Sequence, residues 1–241
     1  LSQENNHIAA INGELYNENF VKNRLKFDRN FMPSGDMQLL AEFLIQDIGN
    51  LRYVEGMFAG FIYNKLKKEI VLFRDPVGEK PLYYFITNGT ITISSTTSAI
   101  IEYFGKNNFH FNTYSLFKGH NSPGETIFSE IKEVLPGHYL AFNLVSHELK
   151  NVKYFKRPTR NIDHNKDFDP KAQFAGYFLN AVKNTSISDV PICMLLSGGL
   201  DSAAILAALN TLESNSIPAF TLKFENQTYD ESVLAKLSAK S

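Results

Sequence analysis

Pro191-Ile-Cys-Met-Leu-Leu-Ser197-Gly198-Gly199-Leu200-Asp201-Ser202 is the stretch that decides how this chain is read. An apolar run, Val190–Leu196, enters two glycines and passes without a spacer into an alanine-rich stretch that reaches about Leu212; a second apolar run follows at Ala219–Phe224. Strand, glycine turn, helix and strand make a βαβ unit, so a parallel sheet is predicted to begin here. Backbone N–H groups at such a helix start point at anions, and a missing Cβ lets phosphates approach closely. Ser197 and Ser202 supply hydroxyls for phosphate oxygens, and Asp201 is placed to hold a magnesium ion bridging them. The alternative is an ordinary βα turn in which Asp201 is favoured by the helix macrodipole alone. There is no Gly-Lys-Ser/Thr, and the glycines do not fit Gly-x-Gly-x-x-Gly, so neither the mononucleotide nor the dinucleotide loop applies. Cys193, inside the apolar run, reads as a buried small hydrophobe rather than a nucleophile.

Upstream the pattern changes. Asp169-Pro170 opens a helix, with Asp as cap and Pro at the first helical position, and Phe174, Tyr177, Phe178, Ala181 and Val182 fall on one face. Residues 156–169 are polar and charged, as suits an exposed connection. Before them, β-branched and aromatic runs alternate with turn residues: His7–Ile11, Met57–Tyr63, Ile70–Phe73, Leu82–Thr87, Thr90–Ser94, Glu133–Leu144 and Glu148–Phe155. Asn88-Gly89 is a hairpin signal, because both central positions of a type I′ turn need positive φ. One helix is expected near a cap at Asn17. Another follows Asp36, with Met37, Leu40, Ala41, Leu44 and Ile48 on one face. The chain thus divides into an α+β part with much antiparallel sheet (1–155), a linker (156–169) and the start of an α/β parallel-sheet part (170–241).

Composition narrows the function. With 24 basic and 25 acidic residues the net charge is −1, which lacks the basic footprint of a nucleic-acid binder. At 44% hydrophobic and 20% charged, the chain has a globular composition. A single cysteine in 241 residues excludes an intrachain disulfide and a cysteine-built zinc site, and fits a reducing, cytoplasmic setting. No apolar run approaches the roughly 18 residues that span a bilayer, and Leu1-Ser2-Gln3-Glu4 is polar where a secretory signal is apolar. No membrane and no nucleic-acid partner is expected.

A second candidate site lies near the start. In Asn12-Gly13-Glu14-Leu15-Tyr16-Asn17, the Asn12 amide and the Gly13 N–H are adjacent donors suited to a developing oxyanion, while Glu14 and Asp36 are acceptors for a cationic amine. A turn with an Asn cap explains the same residues without chemistry. Met57 between strands reads as core packing.

Ser-Gly-Gly-x-Asp-Ser resembles the signature of the ATP pyrophosphatases. Together with Asn12–Asn17, Gly56-Met57-Phe58-Ala59, Arg74-Asp75-Pro76-Val77-Gly78-Glu79-Lys80-Pro81-Leu82-Tyr83-Tyr84 and Pro136-Gly137-His138, it occurs in the order seen in glutamine-hydrolysing asparagine synthetases. The resemblance covers essentially the whole chain. It implies an αββα N-terminal-nucleophile glutaminase sandwich, here incomplete, joined to an ATP-pyrophosphatase synthetase domain, with glutamine, aspartate and ATP as substrates and Mg2+ as cofactor. It also allows for a homodimer. By resemblance, Asn12 and Gly13 form an oxyanion hole, and Asn12, Glu14 and Asp36 bind glutamine. Met57 lines an ammonia tunnel. Leu195, Ser197, Gly198, Gly199, Asp201, Ser202 and Leu222 bind ATP, and Asp201 reaches magnesium through the pyrophosphate; for Leu222 core packing is an equal alternative. Arg74, Asp75, Lys80 and Pro81 are taken as an architectural turn.

Three departures qualify this. Gln38 stands where the family more often has Glu. Residue 1 is Leu where the family's amino-terminal nucleophile is Cys, and a second glycine-serine loop and a catalytic lysine are expected downstream of Ser241. An internal fragment is therefore expected. Related amide-forming enzymes without a glutaminase, of the β-lactam synthetase or lasso-peptide cyclase type, are the alternative reading, and a non-catalytic nucleotide-binding relative is the third.

Overall fold

A computed structural model of the protein describes residues 2–4, 6–25, 33–156, 169–188, 190–212, 217–225 and 230–240. The expected linker, 156–169, lies outside the described residues except for its two ends. The chain separates into two units, Leu1–Thr159 and Arg160–Ser241.

In the first unit the elements run β1 (Ser2–Glu4), β2 (His7–Leu15), α1 (Glu18–Arg24), α2 (Asp36–Gln46), a 3-10 turn (Ile48–Tyr53), β3 (Gly56–Asn64), β4 (Glu69–Arg74), β5 (Tyr83–Thr87), β6 (Thr90–Ser94), α3 (Thr97–Phe104), α4 (Thr113–Lys118), β7 (Lys132–Glu133), β8 (His138–Asn143) and β9 (Leu149–Lys153). Strands β1-β2-β3-β4-β8-β9 form one sheet in that spatial order and β6-β5-β7 form another. All these pairings are antiparallel.

Period-two alternation gives each sheet two faces, and the apolar residues decide what covers them. Ala9, Leu15, Phe58, Ile62 and Phe73 on the large sheet pack against Val21 of α1 and Leu39, Leu40, Phe43 and Leu44 of α2. On the opposite face, Ala59, Phe61, Ile70, Leu72 and Leu140 meet Tyr84, Ile91 and Ile93 of the small sheet, with Leu82 and Val134. The far side of the small sheet presents Tyr83 and Phe85 to Ile100, Ile101 and Phe104 of α3, beside Phe109 and Ile131. Helix, sheet, sheet and helix therefore stack in order. The fold is the expected α+β class, an αββα sandwich.

Turn chemistry sets the registers. Asn88 (φ 49°) and Gly89 (φ 74°) make the tight β5–β6 hairpin read from the sequence. Asn64 Oδ1 accepts the N–H groups of Leu66 and Lys67, and Asn143 Oδ1 those of Val145 and Ser146, so two further hairpins are closed by Asx turns. Asn17 heads α1 but does not cap it through its side chain. Its amide instead donates to Tyr53 O at 2.8 Å and accepts the Glu55 N–H at 3.1 Å, tying α1 to the strand entry.

The Arg74–Pro81 segment is a clasp, not a surface turn. The fully buried Asp75 carboxylate accepts the N–H groups of Val77, Gly78, Glu79 and Lys80 at 2.5–3.1 Å. Arg74, 6% exposed, donates to the carbonyls of Gly78, Lys80 and Val134 and pairs with Glu133 at 2.7 Å. Tyr154 Oη donates to Arg74 O at 2.7 Å, and burial, followed by the nearby Asp75 charge, pushes its phenol well above 10.0.

The second unit holds α5 (Pro170–Thr185), β10 (Met194–Leu195), α6 (Leu200–Leu212), β11 (Ala219–Phe220) and α7 (Ser232–Ser238). Asp169 Oδ1 accepts the Lys171 and Ala172 N–H groups, which is the cap expected from Asp-Pro. Strands β10 and β11 are parallel, as the βαβ reading requires. They are shorter than the apolar runs that contain them, because pairing spans only Met194–Leu195 and Ala219–Phe220. Met194 and Leu196 face inward, onto Val182, Leu206, Leu209 and Ala235. Cys193 and Leu195, on the alternate face, are exposed, so the expected burial of Cys193 is corrected. Of the predicted α5 stripe, Phe178 and Val182 reach the core, whereas Phe174 and Tyr177 are exposed. Among the described residues no helix is long and apolar enough to cross a membrane.

Candidate functional site

Each unit carries one of the two candidate sites. In the first, β2 and β3 pair with Asn12 opposite Ala59, Gly13 opposite Phe58 and Glu14 opposite Met57. Residues directly opposite share a face, so Asn12, Glu14 and Met57 lie on the side of Ala59 and Phe61 that meets the small sheet. Gly13 lies on the other face.

Steric closeness demands that glycine. A Cβ on Gly13 would sit 2.1 Å from the Met57 carbonyl oxygen and 2.7 Å from Phe58 Cα. Phe58 O is taken by the Asp75 N–H at 2.8 Å and Glu55 O by the Tyr16 N–H at 2.8 Å. The ladder alternation that follows makes Gly13 and Phe58 a non-hydrogen-bonded pair across β2–β3. The Gly13 N–H therefore points away from β3. Two residues on, the Leu15 N–H projects from the same flank, where Asp36 Oδ2 accepts it at 2.9 Å. This flank presents main-chain donors next to the exposed Asn12 amide, and a carboxylate already uses one of them.

Asp36 is the first residue of α2 after the cap Gly35; its Oδ1 also accepts its neighbour Met37's N–H at 2.7 Å. It borders a cleft of about 280 Å³ lined by Ala9, Ile11, Ser34, Gly35, Met37, Gln38 and Ala41. Asn12, Gly13, Glu14 and Met57 do not line that cleft. Gln38 Oε1 accepts both the N–H (2.7 Å) and the hydroxyl (2.8 Å) of Ser34, so the amide performs the acceptor role that a Glu there would perform. Tyr16, just after β2, has its phenol pushed above the ordinary range by burial, then by the Glu79, Glu14 and Asp75 carboxylates.

In the second unit, β10 ends in the bend Leu196–Gly199 and α6 begins at Leu200. Ser197 Oγ and Ser202 Oγ are 2.9 Å apart; Ser197 Oγ accepts the Gly199 N–H at 3.1 Å, and Ser202 Oγ donates toward Gly199 O and Ser197 O. The bend is thus a set of hydroxyls and N–H groups bonded to one another. An open cavity of about 250 Å³ lies beside it, lined by Leu195, Leu196, Ser197, Phe220, Thr221, Leu222, Phe224 and Glu231. Leu195 is 80% and Leu222 76% exposed, so Leu222 lines the cavity and is not packed in the core. Asp201 is exposed on the first turn of α6.

Sequence reasoning missed Glu231. Its Oε2 accepts the Gly198 N–H at 3.3 Å across 33 residues of chain. Only the acidic pair Asp230-Glu231 ahead of a short apolar stretch hinted at it. Among the described residues no group of three or more His, Cys, Asp or Glu comes together to hold a metal ion. A magnesium ion here would depend on phosphate oxygens beside Asp201, the usual arrangement for this cation.

Residues 1–155 match the glutamine amidotransferase domain and residues 173–241 match asparagine synthase. The chain belongs to the glutamine amidotransferase family. Its second matched domain is that of asparagine synthase, and several of its relatives are asparagine synthetases. It is 28% identical over 234 residues to asparagine synthetase [glutamine-hydrolyzing] 3 of Bacillus subtilis, covering 93% of this chain and 38% of that protein. It is 25% identical over 254 residues to amidase chyE of Penicillium rubens, covering 98% of this chain and 38% of the relative. Among solved structures, glutamine phosphoribosylpyrophosphate amidotransferase from Bacillus subtilis matches with a TM-score of 0.46 at 20% identity, over 95% of this chain and 49% of that one. The chain thus spans well under half the length of these two curated relatives.

Proposed function

We propose that the chain is part of a cytoplasmic, glutamine-hydrolysing asparagine synthetase, a carbon–nitrogen ligase. In this reading ATP adenylates the side-chain carboxylate of aspartate, and ammonia released from glutamine attacks the acyl-adenylate to give asparagine, AMP, pyrophosphate and glutamate. One observation carries it: the bend after β10 already offers the Gly198 N–H to a carboxylate, beside two facing serine hydroxyls and an apolar cavity. N–H groups aimed at an anion at a helix start suit the phosphates, and Leu195, Phe220 and Leu222 suit a base. Bound at Asp201, magnesium would neutralise charge on the pyrophosphate leaving group. The compartment rests on the single cysteine.

In the glutaminase unit, the Gly13 N–H and Asn12 amide would donate to the oxyanion formed at the glutamine carboxamide, and Glu14 and Asp36 would hold the glutamine amine. Met57, across from Glu14 on the inner face, belongs to the ammonia path. Confining ammonia raises its effective concentration at the second site.

The test is exchange of labelled pyrophosphate into ATP by the full protein with aspartate present. Aspartate-dependent exchange is the expected result; exchange with no carboxylate tested would leave a nucleotide binder. The likeness to amidase chyE favours a second reading, amide chemistry on another substrate, and pyrophosphate exchange stimulated by a different acid but not by aspartate would select it.

A further inference from the structure

Gly198 is crowded too, by a different element and less tightly than Gly13. A Cβ there would lie 2.7 Å from Leu234 Cβ and 3.2 Å from Glu231 Cβ, so the first turn of α7 sits directly on the bend. That turn is held down by the buried Ser232 and Ala235, and Asp230 Oδ1 accepts the Ser232 N–H at 3.1 Å. Glu231 is therefore delivered to the loop by a seated backbone, and its carboxylate lies where an incoming phosphate oxygen would use the same N–H. Among the described residues no ion pair neutralises it.

We propose that Glu231 makes nucleotide binding depend on a divalent cation. This rests on the ATP reading of the bend. With the nucleotide alone, a polyanion must displace a fixed carboxylate from the Gly198 N–H and remain beside it; like charges a few ångströms apart at a protein surface repel strongly enough to cost about tenfold in affinity. A cation arriving with the phosphates offsets the charge and gives the displaced carboxylate a partner. Glu231 is thus a positioning residue that selects the metal complex over free nucleotide.

The experiment compares the full chain with Glu231→Gln and Glu231→Ala, titrating ATP calorimetrically with excess Mg2+ and again with EDTA. Glu231 is exposed, so neither change opens a core, and matching melting midpoints will verify folding. Both variants are expected to bind metal-free ATP about tenfold more tightly than the unmodified protein, while affinities for the magnesium complex differ by less than about threefold. Equal ratios under both conditions, or no gain without metal, overturn the role of Glu231 while leaving the ATP site standing. If the unmodified protein binds ATP under neither condition, the site and the gate fall together.

Discussion

Replacing Gly13 by alanine tests the first unit where fold and proposed chemistry meet. The added Cβ would be 2.1 Å from the Met57 carbonyl oxygen, 2.7 Å from Phe58 Cα and 2.9 Å from Phe58 Cβ. Ordinary carbon contacts need about 3.5 Å, so β2 and β3 must part by roughly 1 Å or Gly13 must twist out of register. Overpacking usually costs about 1–3 kcal/mol, and here the obstructing atoms are mostly main chain of a central pairing, which places the cost near 3 kcal/mol. For a unit of this size, about 2–4 °C is lost per kcal/mol, so the melting midpoint should fall by about 6–12 °C in a circular-dichroism melt. In the full protein, the proposed glutamine hydrolysis should fall by more than the loss of folded protein accounts for, because the Gly13 N–H turns with its backbone. A Gly13→Ala protein melting within 1 °C of the parent would show that the strands are not this close and would remove the steric argument for glycine.

The same chemical change at Gly176, inside α5 with no atom within 4 Å of a built Cβ, should raise stability by about 0.5–1 kcal/mol, read as a shift in urea midpoint; a loss would mean that the site is not open helix. Asp75→Ala strands four N–H groups that its buried carboxylate accepts, so it should cost about 3–5 kcal/mol; a loss below 1 kcal/mol in the same assay would contradict the clasp. Tyr154 titrates higher folded than unfolded, so its contribution is complete below pH 10 and is lost as pH climbs above it; Tyr154→Phe should flatten the alkaline arm of the stability profile, and an unchanged arm would oppose this.

What could be read from residues alone was what local chemistry decides. Asn88-Gly89 specifies its turn and Asp169-Pro170 its cap, and each does so in the structure. The helices Thr97–Phe104 and Thr113–Lys118 carry little signal although Thr96 and Asn112 cap them, because both are shorter than the roughly 11–18 residues over which helical periodicity is read. The polar strand Ser2–Glu4 is specified by its partner, Ala9 to His7, and carries no signal of its own. Strand ends after Leu195 and Phe220 are likewise set by pairing, not by where an apolar run stops. At the candidate sites the motifs were visible but their geometry was not. Asp36 reaching the Leu15 N–H spans 21 residues and Glu231 reaching Gly198 spans 33, and no spacing rule predicts either.

The most direct measurement is a crystal structure of the protein grown with magnesium and a non-hydrolysable ATP analogue. Triphosphate density is expected against the N–H groups and hydroxyls of Ser197–Ser202, with the base among Leu195, Phe220 and Leu222 and the Glu231 carboxylate moved off Gly198. Nucleotide bound elsewhere, or an unchanged Gly198–Glu231 contact under saturating analogue, would contradict this.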